Sequence, residues 1–118
     1  RDPVGLRSEG GGDRLGRAAG RAAALLNLGA AHLLIEPHDA DAALARLSES
    51  ERLWAGLGAS TTGLGRTLVY KGDALALLGC EDEARNAWKQ AREICQEVGD
   101  SGGHDVAAER LQSLTPGA

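Results

Sequence analysis

The residues of this chain that could ligate a metal are its three histidines and the carboxylates beside them. His32 and His38 lie six positions apart, and Asp39 and Asp41 come shortly after His38. Transition metals are held by His, Cys and carboxylate groups at characteristic spacings, and these residues match none of them. His32 also occupies a leucine position of an internal repeat described below, so we expect it to pack in the core. We predict no metal site here or at His104, and no cofactor.

Gly58 and Gly63 enclose four residues, which gives the G-xxxx-G rhythm of a phosphate-binding loop. Such a loop needs Lys and Ser or Thr directly after the second glycine to hold the phosphates and Mg²⁺, whereas Leu64 and Gly65 follow here. We therefore predict a turn between two helices. The hydroxyl side chains in this turn have no base that we can place beside them, so nucleophilic catalysis has no support. The chain is predicted not to be an enzyme.

The two cysteines, Cys80 and Cys95, stand at the start and near the end of one predicted helix. A helix rises about 1.5 Å per residue, so about 22 Å separates them and they cannot form a disulfide with each other. We expect Cys95 to be a small buried hydrophobic residue. Reducing, cytoplasmic conditions fit this usage.

The composition is typical of a single helical domain. The chain has 118 residues, Ala, Leu and Gly dominate, and Phe is absent. Such small and aliphatic side chains favour helix-on-helix packing. The net charge is −4 and neither half is basic, so no nucleic-acid-binding surface is expected. No apolar run approaches the roughly 18 residues of a membrane-spanning helix, and no signal peptide is visible.

Apolar residues recur at helical spacing in five segments. The first helix is predicted to begin with Asp13 as its N-cap and to end before Pro37, which disfavours helix in the residue before it. The later helices are predicted over 43–57, 64–78, 82–98 and 106–114, with 99–103 as a loop and with Gly58, Gly79 and Gly99 as helix ends. Residues 1–12 are predicted to be a flexible lead-in, 13–114 the helical domain and 115–118 a tail.

The organisation of the chain shows an internal repeat. The segment 82–94 overlays 41–53 at a shift of 41 positions, and 68–72 overlays 25–29 at a shift of 43. A repeat of this length built from two helices predicts an α-solenoid, whose surface is usually used for binding. We expect Trp88 to be buried between the helices of its own repeat, with Leu47 as its counterpart in the other repeat.

The spacing inside the second repeat resembles the tetratricopeptide (TPR) pattern more than HEAT or armadillo repeats, which a period near 41 would also fit. Gly72 stands where two helices approach, Gly79 makes the turn, and Ala84, Trp88 and Ala91 follow Gly72 at offsets of 12, 16 and 19. The first repeat matches less well, because its turn is longer and a serine replaces the last alanine. The resemblance implies an all-α fold, an α-solenoid of two TPR-like helical hairpins plus a C-terminal capping helix.

The Gly- and Asp-containing junctions of the chain resemble those of long TPR arrays in bacterial regulators, namely the SARP-type regulators with an NB-ARC ATPase and the large LuxR-type ATPases. The preference for Arg over Lys is typical of actinobacterial genomes. The resemblance implies a non-enzymatic interaction module, cut from a longer array in a transcriptional or signalling regulator. Its partner would be a protein, a peptide or another domain of the same regulator. A TPR domain that senses a small ligand or peptide, and a purely structural assembly segment, remain alternatives.

In TPR arrays the first helix of each pair lines the concave surface. Carried over residue by residue, the resemblance implies a partner-binding groove formed by Leu26, Asn27, Ala30, Leu33, Arg66, Val69, Tyr70 and Asp73. The set that clamps a C-terminal carboxylate in some TPR domains is missing, because Leu26 and Val69 stand where lysine is expected. Arg66 and Asp73 would offer polar anchors and Tyr70 an amphipathic contact, unless the two charged residues are simply solvated.

The first predicted helix carries more apolar residues than one partner helix can cover, among them Leu15, Ala18 and Ala22. A repeat at the end of an array leaves such a face without its neighbour, and an exposed apolar patch tends to bind protein. We therefore predict self-association through residues 14–34, as a two-fold homodimer.

Overall fold

A computed structural model of the chain describes residues 10–58 and 61–114. The described residues form helices and their connections, without a strand, so the all-α prediction is confirmed. The helices are α1 (Gly10–Leu34), α2 (Ala40–Gly56), α3 (Thr62–Leu77), α4 (Glu81–Val98) and α5 (Ser101–Leu114).

Three of the helix ends follow from glycine, as predicted. Gly99 directly follows the end of α4, and Gly58 and Gly79 come one residue later, after the C-caps Leu57 and Leu78 of α2 and α3. The three glycines have φ angles of 79° (Gly58), 85° (Gly79) and 77° (Gly99). Side chains with a Cβ atom rarely adopt this left-handed conformation, so glycine ends each helix there at little cost. The three glycines therefore determine where α2, α3 and α4 end.

The start of α1 differs from its prediction. The described part of α1 begins at Gly10, so Asp13 lies inside the helix and does not cap it. The predicted lead-in therefore cannot extend through residue 12. Its remaining part, residues 1–9, and the predicted tail, residues 115–118, lie outside the described residues.

α5 begins earlier than predicted. The sequence predicts a loop over 99–103. The structure starts α5 at Ser101, since the Asp100 carboxylate accepts a hydrogen bond from the N–H of Gly103 at 3.1 Å and caps the first turn. Gly103 is required there for space, because a Cβ atom on it would collide with the Cys95 Sγ atom and the Asp100 carboxylate.

Two pairs of helices, α1 with α2 and α3 with α4, are joined by the same close contact. Gly29 lies beneath the Leu47 side chain, and Gly72 lies beneath the Trp88 indole, so a Cβ atom on either glycine would collide with its neighbour. The two contacts are related by the shifts of 43 and 41 positions found in the sequence. Leu47 is fully buried and Trp88 is 3% exposed, so each side chain fills the space above its glycine.

α2 also packs against α3, and α4 against α5, while α3 contacts both α1 and α5. Where α1, α2 and α3 meet, the Ser50 hydroxyl donates to the Ala22 carbonyl at 2.8 Å and lies 3.2 Å from the Thr67 hydroxyl. Ala22 is fully buried. The prediction that Ala22 lies on a self-association surface is therefore wrong, because α2 covers it.

Candidate functional site

The predicted groove residues of the second repeat surround one pocket. This pocket has a volume of about 210 Å³ and lies between the end of α1, the middle of α3 and the side of α5. Its lining consists of Leu34, Arg66, Val69, Tyr70, Asp73, Gly103, Val106 and Arg110. The four predicted residues on α3 thus form one wall, and α5 supplies a second wall whose residues were not among those predicted.

The floor of the pocket is apolar. Val69 was expected to be exposed but is only 5% exposed, because it packs with Leu68, Ala91 and Ala107 where α3 meets α4 and α5. Tyr70 is half-buried and packs against the core between α2 and α3. Two further apolar side chains, Leu34 at 67% and Val106 at 36% exposure, leave the pocket open to solvent.

One rim of the pocket is a bidentate ion pair between α3 and the cap of α5. The Nε and Nη2 atoms of Arg66 donate to the two carboxylate oxygens of Asp100, each at 2.8 Å. These bonds, together with the N–H of Gly103, lower the pKa of Asp100 to about 2, against the opposing effect of its burial. The same hydrogen bond raises the pKa of Arg66. Asp100 therefore both caps α5 and ties it to α3.

The opposite rim is a second ion pair between the same two helices. Arg110 donates from Nε and Nη2 to Asp73 at 2.9 and 3.4 Å, and the hydrogen bond to Asp73 raises the pKa of Arg110. Asp73 also accepts from Trp88 Nε1 at 3.2 Å, while the same N–H donates to the Val69 carbonyl at 3.0 Å. Arg66 and Asp73 are thus neither unpaired anchors nor simply solvated, since both hold α5 in place.

In both ion pairs the arginine is the exposed partner. The side chains of Arg66 and Arg110 are 48% and 40% exposed, whereas those of Asp100 and Asp73 are 11% and 19% exposed. A guanidinium group carries five N–H donors, of which the pairing uses only part, so the outer edges of both groups can donate to a bound molecule. The pocket therefore combines an apolar floor with hydrogen-bond donors at both rims.

The predicted groove residues of the first repeat do not line this pocket. Leu26 and Leu33 pack against the core formed by α2 and α3, Ala30 is half-buried and Asn27 is exposed. From α1 only Leu34 contributes, one position after the predicted Leu33. The periodicity of an amphipathic helix does not show at which turn its residues become covered by the neighbouring helices, so it could not separate Leu33 from Leu34.

The other residues considered for chemistry lie apart from the pocket. His32 is half-buried instead of buried in the core, and it lines a shallow pocket at the α1–α2 connection with His38 and Asp39. Within 10–58 and 61–114, no group of three His, Cys, Asp or Glu residues is placed to hold a metal ion. The Thr61 hydroxyl accepts from the N–H of Leu64 at 2.9 Å, so it caps α3. In the described chain, no helix combines the length and apolar character that a membrane span requires.

Both cysteines are free, as predicted, and Cys95 is fully buried. Its Sγ atom lies 3.9 Å from the Asp100 carboxylate, where α3, α4 and α5 meet. Burial is the main cause that raises the pKa of the Cys95 thiol. A buried thiol whose pKa is raised is a poor nucleophile, which agrees with the packing role expected from the sequence.

Comparison of the chain with protein-family models, with curated proteins and with solved structures finds no match.

The low pKa of Asp100 makes a prediction for acid stability. A carboxylate with a lowered pKa stabilises the fold above its unfolded pKa, near 3.8, and this contribution is lost as the pH falls through about 2. Because Arg66 is half exposed, we expect a contribution of only about 1–2 kcal/mol. Urea unfolding of the wild type and of Asp100→Asn should therefore differ most at pH 6 and converge toward pH 2.

The matched control for this titration is Glu93→Gln, which changes an exposed carboxylate on α4. We expect its stability to follow that of the wild type at each pH. A difference between wild type and Asp100→Asn that stays constant from pH 6 to pH 2 would contradict the assigned ion pair.

Proposed function

We propose that this chain is a non-enzymatic interaction module of the TPR type, and that the pocket between α1, α3 and α5 binds a protein or peptide partner. The observation that carries the proposal is the pocket itself. Its exposed apolar side chains, Leu34 and Val106, lie between two arginines whose outer edges face solvent. Exposed apolar surface bordered by polar groups is typical of protein-binding sites.

The repeated helix-pair contact supports the TPR-type α-solenoid. Gly29 beneath Leu47 and Gly72 beneath Trp88 use a small residue in the first helix and a large one in the second, as the resemblance requires. The order of packing also fits, since α1, α3 and α5 contact one another in sequence while α2 and α4 each pack between successive members. In this arrangement α5 is the capping helix, held by the two ion pairs at the pocket rims.

The size of the pocket favours a side chain over a separate small ligand. Sites for cofactors and drug-sized molecules usually enclose about 300–1,000 Å³, whereas this open pocket has about 210 Å³. A partner that inserts one apolar side chain and offers carbonyl or carboxylate oxygens to the rim arginines would use the whole surface. At this pocket the ligand-sensing alternative has less support for this reason.

The regulatory context rests on the sequence resemblance alone. It implies the C-terminal part of a bacterial transcriptional or signalling regulator, located in the cytoplasm. The partner is then a segment of another protein or another domain of the same regulator. No contact with nucleic acid is proposed, because the chain is acidic overall.

Peptide selection tests the proposal. A phage-displayed peptide library would be selected on the purified chain, and the enriched peptides would be measured by fluorescence polarisation against the wild type and against Val106→Glu. A carboxylate on the pocket floor should weaken binding at least about 10-fold, which corresponds to about 1.4 kcal/mol. The matched control is Leu77→Glu, because Leu77 is 66% exposed and lies outside the pocket lining.

We expect Leu77→Glu to bind the selected peptides as the wild type does, and both variants to melt as cooperatively as the wild type. Peptides that lose affinity equally with both variants would contradict the pocket as the binding site. Failure to enrich any peptide would favour the purely structural alternative.

A further inference from the structure

The outer face of α1 repeats a surface that is covered on α3. We define this outer face by five residues, namely Gly20, Ala24, Leu28, Ala31 and Ile35. A shift of 43 positions, which relates Gly29 to Gly72, carries them onto Gly63, Thr67, Lys71, Ala74 and Leu78. The first four positions on α3 are covered by a neighbouring helix, and within the described residues the outer face of α1 lacks such a helix.

On α3 the first four of these positions contact α2, whereas Leu78 is 36% exposed. The Trp54 indole lies against Gly63 so closely that a Cβ atom there would collide with the ring. Thr67 is fully buried beside Ser50, and Lys71 pairs with Glu51 of α2. The surface therefore packs against a helix that places a bulky side chain over a glycine.

On α1 the same positions are uncovered, except that Ala31 is half-buried. Gly20 is exposed, with no side-chain or other non-local atom within 4 Å of a Cβ built on it. Ala24 is exposed, and Leu28 and Ile35 are 43% and 64% exposed. Where α3 has Thr67 and Lys71, α1 has alanine and leucine, so the uncovered surface is more apolar than the covered one.

We propose that this outer face pairs with the same face of a second copy of the chain, as a two-fold dimer with antiparallel α1 helices centred on Ala24. In that arrangement Leu28 of one copy lies level with Gly20 of the other, because both are four residues from the centre. The leucine then fills the space above the glycine, as Trp54 does above Gly63. A surface that carries both the bulky residue and the gap at equal distances from one point is self-complementary.

The charges on α1 permit this pairing. Between residues 15 and 35 there is no carboxylate, and Arg21 is already paired with Glu49 at 2.8 Å. The two copies of Arg17 would each lie seven residues from the centre, so about 21 Å separates them along the helices. This distance exceeds the Debye length of about 8–10 Å at physiological salt, so their repulsion is screened.

The proposed interface is not the one expected from sequence. Ala22 is fully buried beneath α2 and Ala18 is half-buried. Leu15 is 59% exposed but lies nine residues from Ala24. Nine residues are two and a half helical turns, so Leu15 lies on the opposite side of α1. A single pair of helices falls at the low end of interface sizes, so we expect a dissociation constant in the micromolar range.

Sedimentation velocity across concentrations from about 5 µM to about 1 mM tests the dimer, with dissociation in the micromolar range expected. Gly20→Leu fills the gap and Leu28→Glu places a charge in the contact, so each variant should weaken dimerisation at least 10-fold. Both positions are solvent-exposed in the single chain, which means that the variants should fold. Leu77→Glu, an exposed leucine on α3, is the control and should dimerise as the wild type does.

A crosslink tests the geometry independently. In a Cys80→Ser background, Ala24→Cys should form an intermolecular disulfide under mild oxidation, because the two copies of residue 24 meet at the axis. The control Leu77→Cys should not. A wild-type chain that stays monomeric at about 1 mM would overturn the proposal. A dimer that neither Gly20→Leu nor Leu28→Glu weakens, or that Ala24→Cys fails to crosslink, would overturn it equally.

Discussion

Replacing Trp88 with alanine is expected to lower the free energy of unfolding by about 3–5 kcal/mol. The indole is 3% exposed and fills the space between α3 and α4 above Gly72. Its N–H donates to the Val69 carbonyl at 3.0 Å and to the Asp73 carboxylate at 3.2 Å. Alanine would therefore leave a large cavity and remove the donor that the buried Val69 carbonyl and the partly buried Asp73 carboxylate share.

Urea unfolding followed by far-UV circular dichroism would measure this loss. Lys89→Ala, one position later on the exposed side of α4, is the matched control and should stay within about 0.5 kcal/mol of the wild type. Domains of this size are stabilised by only about 5–15 kcal/mol, so Trp88→Ala can leave the chain unfolded. Trp88→Leu, which copies Leu47 of the first repeat, should fold with a smaller loss. Equal stabilities of Trp88→Ala and Lys89→Ala would contradict the repeat register.

Features decided by neighbouring residues were predictable from the sequence. The ends of α2, α3 and α4 follow from one glycine each, because the left-handed conformation is a local property. The contacts Gly29–Leu47 and Gly72–Trp88 were predictable because the repeat gives two independent copies of one pattern. The helical class of the fold and the pairing within each repeat could therefore be predicted before the structure was known.

The rims of the pocket could not be predicted in this way. Arg66 and Asp100 are 34 positions apart, and Asp73 and Arg110 are 37 apart, so no helical period relates the members of either pair. The burial of Val69 depends on α5, whose first turn was itself predicted to be a loop. Sequence spacing could place Arg66, Val69 and Asp73 on one face of α3, but only the packing of α5 shows how they are paired.

Ala22 and Ala24 illustrate the same limit on α1. Both are alanines in the middle of the helix, yet Ala22 is fully buried beneath α2 and Ala24 is exposed. The apolar residues of α1 extend around too much of its circumference for periodicity to separate the two sides. The position of α2 decides which side remains uncovered. The proposed interface between copies of the chain is therefore centred on Ala24 and does not include Ala22.

Gly72→Leu is expected to cost about 3 kcal/mol, because it forces extra atoms into a filled contact. A Cβ atom at this position already collides with Trp88 Nε1, Cδ1 and Cε2, and the leucine adds three more carbons. The indole cannot easily move aside, since its N–H is held by acceptors on α3 itself. Gly56→Leu, at an exposed glycine with open space around it, is the matched control and should be nearly neutral.

The double variant Gly72→Leu/Trp88→Ala tests whether one contact limits both residues. The leucine would occupy part of the volume that the indole vacates, so the double variant should be less destabilised than the sum of the two single variants. For residues in direct contact we expect a coupling free energy of about 1–3 kcal/mol, measured by urea unfolding of all four proteins. If the stability losses of the two single variants add up to that of the double variant within about 0.5 kcal/mol, Gly72 and Trp88 do not share a contact. The small residue on α3 would then be explained by something other than the close approach of α4.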